Sequence, residues 1–149
     1  MDHEDLDVYR TALDFVSFVQ ELLKRMPGGR RGIDDQLMRA ATSMPLNIAE
    51  GAGEFSAKDK ARFYRIARRS ATECAAALDV CVRIGLAPEE SVQQGRCLLR
   101  RIVAMLTKMV LGLDTTRHAA SRVIDSPSGN VKEAASVQSL PPRPRTPNP

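Results

Sequence analysis

Ser43-Met44-Pro45-Leu46-Asn47-Ile48-Ala49-Glu50-Gly51-Ala52-Gly53-Glu54-Phe55-Ser56 is the stretch on which the fold turns, because it joins two helix-like runs and places a proline inside the first. Leu37, Ala41, Met44 and Ile48 recur at steps of four and three, the spacing of one helix face, so the apolar stripe passes straight through Pro45. A proline within a helix removes a donor and crowds the carbonyl four residues back, at a cost of about 3 kcal/mol. Here that carbonyl belongs to Ala41, and the hydroxyls of Thr42 and Ser43 stand beside it to compensate. The spacing therefore predicts a kinked but continuous helix. Gly51 and Gly53 read as its flexible exit. Ser56 and Asp59 read as the N-cap and capping box of the helix that follows.

Working outward, residues 4 to 26 form a first helix whose apolar stripe is Leu6, Tyr9, Leu13, Val16, Val19 or Gln20, Leu23 and Met26. Acids lie at its front and Lys24-Arg25 at its back, an order that suits the helix dipole. Pro27-Gly28-Gly29 ends it. The second helix begins between residues 30 and 34 and runs through Pro45 to about residue 53. The third spans residues 56 to 84 and buries Phe63, Ile66, Ser70, Cys74, Leu78 or Ala77, and Cys81, with Gly85 as the residue that closes it. Pro88 suits the first position of a fourth helix, which runs to Leu113 on a stripe of Val92, Leu98 or Leu99, Ile102, Met105 or Leu106, Met109 and Leu113. Long helices with short connections place sequence neighbours antiparallel, so the expected fold is all-α, an up-down-up-down four-helix bundle over residues 1–113. Residues 114–149 are poor in large apolar side chains, and five of the last nine are proline. They read as a disordered tail with, at most, a polyproline segment for an aromatic groove.

Residues 43 to 56, followed by Asp59-Lys60-Ala61-Arg62-Phe63-Tyr64-Arg65-Ile66-Ala67-Arg68 and Ser70-Ala71-Thr72-Glu73-Cys74, resemble the signature of the 23S rRNA intervening-sequence proteins. These are small bacterial four-helix-bundle proteins, to which the accessory proteins of diversity-generating retroelements are also similar. The likeness covers about residues 6 to 113. It departs at Arg69, where the family usually has glycine. The resemblance implies a bundle that assembles into a ring-like homopentamer with a basic surface for nucleic acid, and it implies no enzyme. Pro45, Asn47, Glu50, Gly51 and Gly53 belong to the signature.

The whole chain of 149 residues carries a net charge of +4, a modest excess that suits an anionic partner without requiring one. Its distribution says more. Asp2, Glu4, Asp5, Asp7, Asp14 and Glu21 face only Arg10 in the first 23 residues, whereas Lys58, Lys60, Arg62, Arg65, Arg68 and Arg69 face only Asp59 between residues 55 and 70. Three cysteines without metal-ligand spacing read as free core thiols of a cytoplasmic protein, since Cys74 and Cys81 stand two turns apart. No signal peptide or membrane span is evident.

Catalysis has few candidates. His3 and His118 lie at the edge of the first helix and in the tail, so no Ser-His-Asp constellation forms. The paired Glu-x-x-His runs of a di-iron bundle are absent, which excludes that metal centre. Gly51-Ala52-Gly53 lacks the Gly-Lys-Ser/Thr of a phosphate loop. No catalytic residue, metal or cofactor is expected. Ser43, Asn47, Glu50 and Glu54 share a polar face, whose role is to pair with arginines of the third helix or of a neighbouring subunit.

The third helix carries the candidate binding surface. Lys58, Arg62, Arg65 and Arg69 recur at four, three and four and form one stripe, flanked by Lys60 and Arg68. Such a stripe either tracks phosphates or pairs with acids across a subunit interface. Arg96, Arg100 and Lys108 form a looser second stripe. Four Phe, two Tyr and no Trp, placed mostly in the core, leave no exposed aromatic on which bases could stack, so binding to RNA or DNA would be backbone-directed. The expectation is a non-catalytic oligomeric accessory or scaffold that binds nucleic acid. Its alternative is a structural homo-oligomer or an adaptor for a partner such as a reverse transcriptase. The small apolar positions Ala71, Ala75, Ala76, Ala77 and Val80, more than one core needs, point independently to assembly.

Overall fold

Four helices follow one another along the chain: α1 (Asp7–Arg25), α2 (Arg31–Gly53), α3 (Ala57–Arg83) and α4 (Glu89–Ile124). The computed structural model describes residues 3–4, 6–27 and 31–124. The expectations for Gly28, Gly29 and residues 125–149 lie outside them. Each helix packs on its sequence neighbours, and α4 closes the ring on α1. Partners across α2 and α3 pair in reverse order: Gln36 with Glu73, Ser43 with Ser70, and Gly51 beside Tyr64. Across α3 and α4 the order is again reversed, with Asp79 on Arg96, Arg68 on Thr107 and Arg65 on Asp114. The architecture is the expected antiparallel four-helix bundle.

α2 runs unbroken through Pro45. Leu37, Ala41, Met44 and Ile48 are all 0% exposed. Burying each of the larger three contributes about 1.5–3 kcal/mol, together more than the roughly 3 kcal/mol that an internal proline costs. The compensation at the proline differs from the expected one. Thr42 Oγ1 turns back to the carbonyls of Met38 and Arg39, at 3.0 and 3.1 Å, not to Ala41. Asn47 Nδ2 spans the proline turn instead, donating to Ser43 O at 2.8 Å and to Ser43 Oγ at 3.1 Å.

The helix ends at Gly53, as the sequence predicts, with Gly51 still inside it. Gly51 is a contact glycine. A Cβ there would come 2.6 Å from Tyr64 Cε1 and 3.2 Å from Phe63 Cβ, so the bare backbone is what lets α3 close on α2. Tyr64 is thereby 3% exposed, and burial pushes its phenol pKa up.

Local end signals behave as their chemistry requires. Asp59 N donates to Ser56 Oγ at 3.0 Å, and the Ser56 hydroxyl donates to Asp59 Oδ2 at 2.7 Å, which caps α3. At the other end Gly85 takes φ +74°. Its N–H donates to Val82 O at 3.1 Å while Leu86 N donates to Cys81 O at 2.8 Å, the paired bonds of a left-handed helix stop.

Two expectations need correction. The buried face of α1 is Val8, Thr11, Ala12, Phe15, Val19 and Leu22, continued by Met26; Val19 and Met26 are buried as expected, and the rest are out of phase with the expected stripe. Leu6, Tyr9, Val16 and Leu23 flank it half-buried, and Leu13 is exposed. The first turns of α3 likewise bury Tyr64 and Ala67 instead of Phe63 and Ile66, while Ser70, Cys74, Leu78 and Cys81 are buried as expected. In α4 the core takes Val92, Leu99, Ile102, Leu106 and Val110, the last in place of Met109.

The second correction is to the end of α4, which runs on to Ile124 instead of stopping at Leu113, so the stretch around His118 is helix. Arg65 Nη2 holds Asp114 through both carboxylate oxygens, at 2.8 and 2.6 Å. Thr115 and Thr116 return their hydroxyls to the carbonyls of Leu111 and Gly112.

Candidate nucleic-acid interface

α3 presents its cations because its opposite face is taken. Tyr64, Ala67, Ala71, Cys74 and Leu78 point into the core, which turns Lys58, Arg62, Arg65 and Arg69 outward, all four exposed. Lys60 and Arg68 are half-buried beside them. The six do not share one environment. Arg65 is committed to Asp114, and Arg68 Nη1 reaches Thr107 Oγ1 at 3.4 Å. The Arg62 guanidinium lies 5.4 Å from the centroid of the Phe63 ring, a cation–π distance that holds it against the helix. Among the described residues Lys58, Lys60, Arg62 and Arg69 make no ion pair. The stripe thus keeps unpaired cations at its N-terminal end and at Arg69, while on its α4 side Arg65 is neutralised by Asp114.

The signature residues divide between structure and surface. Pro45 is buried and Asn47 half-buried. Asn47 holds Ser43, whose Oγ is hydrogen-bonded at 3.0 Å to that of Ser70, itself 6% exposed. This polar link fixes the register of α2 on α3. Glu50 is exposed and Glu54 half-exposed. Within the chain, neither is seen to reach an α3 arginine among the described contacts.

In the second basic stripe only Arg96 is ion-paired among the described residues. Arg96 Nη2 binds Asp79 Oδ1 at 2.7 Å and its Nη1 binds Glu89. Arg100 Nη2 donates to Cys97 Sγ at 3.0 Å. Cys97 is exposed, against the expectation that all three thiols are in the core; Cys74 and Cys81 are buried. Burial, aided by Glu73, pushes the Cys74 thiol up to about 12. No cluster of three or more His, Cys, Asp or Glu among the described residues could hold a metal ion. No described helix is long and apolar enough to cross a membrane.

One feature of this surface runs against the sequence reading. Phe55, in the turn between α2 and α3, is 104% exposed. The signal was present in the sequence. As the residue before the N-cap, Phe55 occupies the position of a hydrophobic staple, whose partner four positions into the helix would be Lys60. With a lysine there, the staple cannot close.

Fold and surface together define a small helical-bundle protein with a partly neutralised basic face on its third helix. Residues 4–108 match the 23S rRNA-intervening sequence protein family, and the chain belongs to it. A solved structure, described as a protein of unknown function from the S23 ribosomal protein family of Bacteroides thetaiotaomicron VPI-5482, superposes with a TM-score of 0.64 at 22% identity. The match covers 69% of this chain and 97% of that one, and it bears on the fold alone. No curated protein matches the chain in sequence.

Proposed function

We propose that this protein is a non-catalytic accessory or scaffold that assembles with copies of itself and binds the nucleic-acid backbone through α3. The observation that carries the reading is the set of exposed cations Lys58, Arg62 and Arg69, with Lys60 beside them, left without ion pairs among the described residues. Exposed cations held on one helix face are spaced to meet successive phosphates, and each phosphate neutralised releases counterions. Log affinity should therefore fall with log salt by about 0.7 to 0.9 per contact.

A second reading has its own support. Val80 of α3 and its C-cap Ile84 are 44% and 42% exposed, four residues apart. Separately, a groove between α3 and α4 is lined by Ala71, Ala75, Leu99, Val103 and Ala104, with Arg96 and Arg100 at its side. Such apolar surface suits a purely structural homo-oligomer, a pentamer if the family likeness extends to assembly, or an adaptor for a protein partner such as a reverse transcriptase.

One double variant separates the two. Reversing Arg62 and Arg69 to Glu should abolish binding to RNA and to duplex DNA while leaving the oligomer mass from light scattering unchanged. Dissociation of the oligomer by the same change, with weak or absent binding by the wild type, would instead assign the stripe to subunit contacts.

A further inference from the structure

Phe55 and the free cations of α3 occupy the same end of one helix. The ring stands wholly in solvent immediately before the N-cap Ser56, and Lys58 and Arg62 follow within the first two turns, both exposed. Arg62 is itself laid over the half-buried ring of Phe63, which presents a guanidinium plane of the kind on which bases also stack. Of the nearby acids, Asp59 is engaged by the Ser56 hydroxyl, and Glu54 is half-buried.

We infer that this end of α3 is a single-strand site, where Phe55 stacks one unpaired base while Lys58 and Arg62 hold the phosphates beside it. The inference rests on the nucleic-acid reading above and narrows it to a class of ligand. A duplex keeps the faces of its bases inside its own stack, so it meets only the cations. An unpaired strand offers both a phosphate and a π-face, and aromatic residues in basic surroundings exploit the two together without reading sequence. A protein partner fits this ring less well. Energetically dominant interface anchors are encircled by contacts that exclude water, whereas Phe55 is wholly exposed between Glu54 and Ser56, with Lys58 three residues on.

The test compares a fluorescent oligouridylate strand with an RNA duplex of equal length, alongside the oligomer mass of each variant. Phe55→Ala should weaken strand binding about tenfold, in line with the loss of one stacked base, and leave duplex binding and oligomer mass unchanged. The protein has no tryptophan, so Phe55→Trp creates a lone indole. That variant should retain strand affinity, and its emission should be quenched by the strand but not by the duplex. An unchanged strand affinity for Phe55→Ala, an equal loss for both probes, or a change in oligomer mass would each overturn the inference, the last by making Phe55 a subunit anchor. Wild-type protein that binds neither probe at low salt would sink the proposed function and this inference with it. Wild-type binding of both probes with a silent Phe55→Ala would sink the inference alone.

Discussion

Gly51 and Gly53 sit two positions apart in the same motif and look alike in sequence, yet they have opposite surroundings. A methyl at Gly51 meets the buried ring of Tyr64, whereas one at Gly53 meets nothing within 4 Å. Gly51→Ala should therefore destabilise by about 1–3 kcal/mol through overpacking. Gly53→Ala, at a helical position without positive φ, should stabilise by about 0.4–1 kcal/mol by restricting the unfolded chain. Urea unfolding of the two variants measures both signs. The cysteines offer a second contrast. Cys97 should be alkylated by iodoacetamide in the native protein, while Cys74 and Cys81 react only on unfolding. Because the folded pKa of Cys74 is raised from its ordinary 9.0 to about 12, its thiol ionises first in the unfolded chain. Its contribution to stability is complete below about pH 9 and declines as pH rises toward about 12. Cys74→Ala should flatten that alkaline decline in an unfolding series.

At the scale of the element, Pro45 and the end of α4 show how tertiary contacts extend helices beyond their local signals. Pro45→Ala restores a donor to the Ala41 carbonyl, worth about 1 kcal/mol, and removes part of a buried ring of similar value. Helicity by circular dichroism should stay constant and stability should change by less than about 1 kcal/mol. Beyond Leu113 the sequence offers Asp114, Thr115 and Thr116, weak helix formers with no apolar stripe. The helix nonetheless continues, with Arg65 pairing to Asp114 across the groove. An exposed pair of this kind contributes little to global stability, so its effect should be local. Asp114→Asn should leave the melting temperature almost unchanged and speed amide hydrogen exchange over residues 114 to 124.

For the whole molecule, the question is what the outer faces do once the core is complete. Val80 and Ile84 lie outside the buried core, so Val80→Asp with Ile84→Asp should preserve helicity. On the reading proposed above it should also reduce the light-scattering mass to that of a smaller species. An unchanged mass would move the search for the assembly surface to another face. The charge asymmetry noted in the sequence does not resolve within one chain. Arg65, Arg68 and Arg96 find partners on α3 and α4, and among the described residues no ion pair links the acids of α1 to α3.

The sequence by itself determined the number of helices, their order and most of their ends, because those signals act within about one turn. The Ser56–Asp59 cap, the left-handed stop at Gly85 and the stripe through Pro45 each rest on residues at most four apart, and periodicity then required four antiparallel neighbours. Tertiary structure decided the rest. In α1 the buried face took in Thr11, Ala12 and Phe15 and left Leu13 exposed, a choice of phase that local spacing alone did not make. Gly51 could be recognised as a contact only once Tyr64 lay opposite it. Which cations are neutralised depended on where Asp114 and Glu89 arrive from α4, and the exposure of Phe55 depends on no described element folding over the α2–α3 turn. Propensity, capping and dihedral preference are local properties of a chain. Burial and charge pairing belong to surfaces that exist only after distant segments have met.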